Sequence, residues 1–291
     1  MRVASLLPSA TEIVCALGMA DTLVGVSHEC DYPPDVVQDL PRLTYSAIPP
    51  GLTSAEIDAE VSARLRRGES LYHLDEATLA ALKPDLLISQ ELCDVCAVAF
   101  DDVCRISTRL PGNPNVISLT PPNLFAIFDD VRTVAEALGI PQRGEALIRQ
   151  LRARLERVAH TVERFPDRPR VFAMEWLDPP FAAGHWVPEM IAFAGGEEVL
   201  GRAGHPSFRV TWEQIIAAQP EVILLIPCGY NAEATEKEWA TLPKPPGWET
   251  IPAVQTGRVY AFDANSYCSR PAPRVVEGIE QLVNLFHPKE G

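Results

Sequence analysis

The sequence is poor in the features that mark several common functional classes. Its 291 residues contain no apolar run long enough to cross a bilayer, so a chain that inserts in the membrane by helices is excluded. Positive charge is short: 25 Lys and Arg stand against 39 Asp and Glu, a net charge of -14 that repels a nucleic-acid backbone. No G-x-S-x-G, Walker loop, G-x-G-x-x-G or H-E-x-x-H occurs, which weakens an enzymatic reading without excluding it. The start, MRVASLLPSATEIV, has neither a basic n-region nor a cleavage site ahead of a strand-like segment. As written, the chain is expected in the cytoplasm; had a leader been removed, it would belong in the periplasm or at the cell surface. Seven cysteines, an odd number in a chain too large to need disulfide staples, favour a reducing compartment.

What is present is a repeating α/β plan. From Pro141 to about Phe165, Leu147, Leu151, Leu155, Val158 and Val162 recur at helical spacing, with arginines and glutamates on the other face. A helix of that length runs roughly 35 Å at about 1.5 Å per residue. Before it, strands at 2–7, 23–27, 86–89 and 116–119 alternate with helices at 12–17, 54–67, 76–82 and 123–138, with Ser9 or Thr11 as cap of the first and a loop over 45–54. After it the alternation resumes, with strands at 171–174 and 259–262 and helices at 188–193 and 273–286. ATLAALKPDLLIS at 77–89 and EQIIAAQPEVILLI at 213–226 share one pattern: a helix, a Pro-acid turn and an aliphatic strand. Each is followed within a few residues by a cysteine, Cys93 or Cys228. The expected organisation is an N-terminal α/β lobe over 1–140, a linker helix over 141–166 and a C-terminal α/β lobe over 167–291, each with a mainly parallel sheet.

In open parallel sheets ligands bind beyond the carboxyl ends of the strands. The residues there are His28 and Glu29, Glu91 to Cys96, Glu175 and Trp176, Cys228 to Tyr230, and Asp263 to Arg270. Two facing lobes would gather these sets in one cleft, and a single stiff linker would keep that cleft largely preformed.

SLLPSATEIVCALG, LVGVSHECDYPP, LAALKPDLLIS, PPF with GHW and AGG, and SRPAPR resemble, in order and spacing over nearly the whole chain, the substrate-binding proteins of cobalamin and metal-chelate ABC transporters. The resemblance implies two α/β lobes bridged by one long helix, cobalamin or a related corrinoid as ligand, and a transporter permease as partner. It leaves an iron-siderophore or haem carrier as the alternative. CDVCAV stands where that family would carry an aromatic or polar loop. With the missing leader, it suggests a cytoplasmic branch that handles corrinoids inside the cell, or a thiol-dependent corrinoid-processing enzyme or chaperone.

Each candidate residue has a structural use beside the functional one. Cys93 and Cys96 form a single C-x-x-C without the second pair of a structural zinc site. Lining a ligand and packing as small buried residues are equally good readings, and a metal site with His28 and Cys30 or Cys228 ranks below both. Among His28, His73 and His185, a neutral imidazole could ligate cobalt; His185, beside Trp186, is preferred, although a hydrogen-bonded loop histidine is the commoner role. Trp176, Phe181, Trp186, Tyr230 and Tyr267 could pack against a flat macrocycle or between lobes. Glu175, Arg270 and Arg274 could meet amide or phosphate groups of the ligand. Trp212, Trp239 and Trp248 read as peripheral, and His160 and His287 as solvent-exposed.

Overall fold

Short aliphatic strands, each separated from the next by at least one helix in the parallel part of each sheet, assemble into two separate sheets. The computed structural model describes residues 1–91 and 98–288, so Cys93 and Cys96 lie outside the described residues. The chain divides into two compact units. The first comprises Met1–Leu52, Glu56–Pro121 and Phe125–Arg149; the second comprises Thr53–Ala55, Pro122–Leu124 and the chain from Gln150 onwards.

The first half runs β1 (Val3–Ser5), α1 (Pro8–Ala16), β2 (Leu23–Val26), α2 (Pro34–Val37), β3 (Thr44–Ser46) and α3 (Ser54–Arg67). It continues with β4 (Tyr72–Leu74), α4 (Glu76–Leu82), β5 (Leu86–Ser89), α5 (Phe100–Ser107), β6 (Asn115–Ser118) and α6 (Leu124–Ala137). Its main sheet has the order β2-β1-β5-β6, all parallel. Ala4, Leu6, Leu43, Leu79, Leu87, Val103 and Ile106 form a core against it. Each large aliphatic side chain so buried contributes about 1.5–3 kcal/mol relative to exposure. The expected loop over 45–54 instead begins in β3, which pairs antiparallel with β4. Nor do Ser9 and Thr11 cap α1. Its N-cap is Leu7, Pro8 fills the first turn, and the Thr11 hydroxyl donates instead to Ser5 Oγ at 2.8 Å.

The linking helix α7 (Pro141–Val162) passes from the first unit into the second between Arg149 and Gln150. Its buried stripe is Ile148, Leu151, Leu155, Val158 and Val162. Ile148 thus takes the place expected for Leu147, which is only half-buried.

The second half runs β7 (Arg170–Trp176), β8 (Phe181–Ala182), α8 (Val187–Phe193), β9 (Glu197–Glu198), β10 (Phe208–Arg209) and α9 (Trp212–Ala218). Then follow β11 (Val222–Leu225), α10 (Ala232–Thr241), α11 (Pro252–Gln255), β12 (Val259–Ala261), α12 (Ala264–Tyr267) and α13 (Val275–Phe286). The sheet order is β10-β8-β7-β11-β12, with β9 also on β7. β7, β11 and β12 are parallel, whereas β8 and β10 form an antiparallel edge. Its core includes Phe172, Met174, Ile215, Ile223, Leu225 and Trp248. The three tryptophans read as peripheral therefore belong to this core. Trp248 is buried, and Trp212 and Trp239 meet it edge-on at 5.8 and 5.4 Å. His287 also departs from expectation: it is half-buried and stacks on Phe165 at 4.2 Å.

The internal repeat is visible in the backbone. α4 ends at Lys83 and α9 at Gln219, both left-handed (φ 47° and 45°), and a proline follows each before the strand. A left-handed residue closes a helix, and the proline prevents its continuation, so the chain is released directly into the sheet. β5 then lies between β1 and β6 as β11 lies between β7 and β12.

Candidate ligand-binding site

At the carboxyl edge of the first sheet, β1, β5 and β6 all end on serine, and Ser27 follows β2 directly. A hydroxyl network grows from these positions. Thr44 Oγ1 donates to Ser27 Oγ at 3.1 Å and accepts the His28 backbone N–H at 3.1 Å. The same hydroxyl lies 2.7 Å from His28 Nδ1, while His28 Nε2 faces Glu29 at 3.1 Å and the ring tilts against Tyr72 at 5.6 Å. His28 and Glu29, both expected at a site, are therefore neighbours, and His28 is fixed by Thr44. Ser89 and Ser118 pair in register, and their hydroxyls have no partner among the described residues. Thr44, Ser27 and Tyr72 were not singled out from the sequence: Thr44 and Tyr72 come from segments with no distinctive local pattern, and Ser27 reads only as the end of a strand.

At the carboxyl edge of the second sheet the groups are aromatic and acidic. Trp176 ends β7 and meets Tyr230 edge-on at 5.9 Å. Cys228 donates its backbone N–H to the Glu175 carbonyl at 3.2 Å, which draws the segment after β11 against the end of β7. A second backbone tie follows at this edge, from the Asn265 N–H to the Tyr230 carbonyl at 3.0 Å. Asn265 Oδ1 in turn accepts from Arg270 Nη2 at 2.9 Å. Glu175, Trp176, Cys228, Tyr230 and Arg270 thus form one connected group. The Glu175 carboxylate accepts the Gly184 N–H at 3.1 Å, yet burial still pushes its pKa up. Burial likewise raises the Tyr230 phenol, helped by Glu238, which accepts its hydroxyl.

The GHW segment is shaped by its backbone. His185 has φ 50°, donates to the His205 carbonyl at 2.6 Å and accepts from Gly204 at 2.9 Å. These two bonds hold a left-handed conformation that a non-glycine residue adopts only at a cost. The half-buried His185 ring has its pKa lowered by burial, which favours the neutral imidazole that metals bind.

The other predicted residues make different contacts. Trp186 is buried at 6% exposure and donates its indole N–H to the Cys268 carbonyl at 2.8 Å, so it is a packing residue of this unit. Phe181 pairs in register with Trp176 and carries the Arg209 guanidinium over its ring at 5.6 Å. Tyr267 donates to Glu277 at 3.2 Å, with Arg274 over its ring at 5.9 Å. Sequence reading missed Glu238 and Ser54: Trp176 Nε1 donates to the Ser54 carbonyl at 3.1 Å. No spacing rule links residues so far apart.

Among the described residues, no three His, Cys, Asp or Glu side chains converge as a metal site. A recess of about 940 Å³ lies at the opposite, amino-terminal edge of the second sheet, lined by Phe165, Arg168, Glu221, Arg258 and His287 among others. It contains none of the predicted site residues. No described helix is long and apolar enough to cross a membrane.

The chain is 25% identical to the vitamin B12-binding protein of Vibrio vulnificus (strain CMCP6), over 98% of this chain and 89% of that protein. Among solved structures, the periplasmic heme-binding protein of Roseiflexus sp. RS-1, in apo form, is 27% identical with a TM-score of 0.74, covering 98% of this chain and 97% of the other. The periplasmic vitamin B12 binding protein of Vibrio cholerae is 24% identical with a TM-score of 0.71, covering 98% and 96%. The family model described as periplasmic binding protein matches residues 3–266, and the chain therefore belongs to the periplasmic binding protein family.

Proposed function

We propose that this protein binds cobalamin or a related corrinoid without transforming it, using residues beyond the carboxyl ends of its parallel strands. The observation that carries the reading is the Trp176–Tyr230 aromatic pair beside Glu175 and Arg270. Such a pair offers flat apolar surface with polar groups at its rim, which suits a macrocycle with amide arms. The alignment with a vitamin B12-binding protein over almost the whole chain supports it. Phe181, His185 and Cys228 of the same unit complete this set, and His28, Glu29, Cys93 and Cys96 of the first half are separate candidates for ligand contact. The family consists of binding proteins, so the thiol-dependent enzyme reading is set aside.

Haem is the second reading, favoured by the likeness to a heme-binding protein at 27% identity. Calorimetric titration with cyanocobalamin and with hemin separates the two. Saturable binding of cyanocobalamin and weaker binding of hemin is expected; hemin alone would reverse the assignment. In His185→Ala, any spectral shift of the bound metal centre should disappear. A transporter permease is the proposed partner, and cell fractionation decides whether the protein meets it in the periplasm or handles ligand in the cytoplasm.

A further inference from the structure

The second unit contains two short stretches from the first half of the chain, Thr53–Ala55 and Pro122–Leu124. Both include the start of a 14-residue helix, Ser54 of α3 and Leu124 of α6. The first N–H groups of a helix have no partner within it and carry partial positive charge. Each of these two is met by a glutamate: Ser54 N–H donates to Glu238 Oε1 at 2.7 Å, and Leu124 N–H to Glu189 Oε2 at 2.6 Å. The glutamates lie on α10 and α8.

The two clasps differ in what else they hold. Glu238 also accepts the Tyr230 hydroxyl, and the Ser54 carbonyl accepts Trp176 Nε1 at 3.1 Å. One carboxylate and one residue's backbone therefore fix both rings of the aromatic pair. Glu189 has no such tie among the described contacts, and its clasp serves only the helix start.

We propose that Glu238 is a positioning residue that sets the Trp176–Tyr230 pair for ligand, whereas Glu189 is structural only. The affinity arm of this proposal rests on the corrinoid reading; the geometric arm does not. A carboxylate here satisfies two donors at once, and an alanine would leave the Ser54 N–H without its acceptor and release the Tyr230 ring. Glutamine keeps one carbonyl oxygen at the same reach and should restore most of the geometry.

The test compares Glu238→Ala, Glu238→Gln and Glu189→Ala by cyanocobalamin titration and, without ligand, by tryptophan emission. Glu238→Ala is expected to lose about tenfold or more in affinity, Glu238→Gln to recover to within about threefold, and Glu189→Ala to bind within about threefold of the parent while melting earlier. Glu238→Ala should also shift the emission, and this shift should vanish in a Trp176→Phe background. Parent-like affinity and emission in Glu238→Ala, or an equal loss of affinity in Glu189→Ala, would overturn the proposal. If the parent protein binds no cyanocobalamin, the corrinoid reading fails by itself. The emission comparison then decides: a Trp176-dependent shift in Glu238→Ala alone upholds the positioning role, and its absence refutes it.

Discussion

The first sheet ends in serines and the second in Glu175, Trp176 and the Cys228–Tyr230 segment, although three parallel strands of each sheet follow the same order. The helix, left-handed cap, proline and strand are repeated with almost the same angles at Lys83 and Gln219. The repeat is kept where backbone geometry and apolar burial demand it. It is lost at the strand ends, where no hydrogen-bond ladder or core contact dictates the side chain. Strand ends are therefore where a duplicated scaffold can acquire two chemistries, hydroxyl on one side and aromatic with carboxylate on the other.

The largest expected effect tests how tightly each unit holds its backbone. A Cβ on Gly184 would lie 2.3 Å from the His205 carbonyl oxygen and 2.5 Å from Ser207 N, whereas the nearest atoms to one on Gly25 would be Leu43 side-chain carbons at 2.9–3.0 Å. Backbone cannot step aside as a side chain can. Gly184→Ala should therefore cost about 3 kcal/mol or more by urea denaturation, and Gly25→Ala about 1 kcal/mol. Equal losses would remove this contrast between the units.

Next come two buried carboxyls, Asp130 in the first unit and Glu198 in the second, each pushed up to about 7, chiefly by burial. Both folded values lie above the unfolded ones. The stability they supply is full below about pH 4 and is lost as the pH rises through about 7. Their surroundings predict opposite responses to amide replacement. Asp130 Oδ2 has no partner among the described residues, so Asp130→Asn should remove an ionisation cost and raise stability at pH 8 by about 1–4 kcal/mol. Glu198 accepts the N–H groups of Ala173, Leu200 and Gly201 at 2.9–3.1 Å. In Glu198→Gln an amide NH₂ would face one of those donors, for a loss of about 2 kcal/mol. Thermal melts at pH 5 and pH 8 read both, and a gain in each would show that burial alone governs them.

The last pair concerns ligand, and its second member is the smallest effect of all. Trp176→Ala should weaken cyanocobalamin binding by about 10–100-fold. Ser89→Ala, which deletes a buried hydroxyl with no described partner, should change affinity by less than about threefold and stability by less than about 1 kcal/mol. A larger loss from Ser89→Ala than from Trp176→Ala would move the centre of recognition to the first sheet.

Much of the architecture was legible in the residues. The bounds of α3, α4 and β5 follow from apolar spacing and flanking turn residues, and α7 was displaced only at its end. The β3–β4 pairing, α5 and α10 were not foreseen, because their short or polar segments carry weak periodicity. His28, Glu29, Glu175, Trp176, Cys228 and Tyr230 do lie at or just past strand ends, as the sequence reading expects, but the different contacts of Trp176 and Trp186 were not legible. Both are loop-flanked tryptophans in sequence; one meets Tyr230, and the other is buried against Cys268.

By itself, the sequence determined two α/β halves joined by one long helix, because periodicity, caps and prolines act over a few residues and leave a readable trace. The tertiary structure alone decided that Trp248 anchors a core, that Asp130 and Glu198 are buried, and that Glu238 meets Ser54 across 184 residues of chain. Contacts at that separation depend on how the elements pack, and no local pattern encodes them.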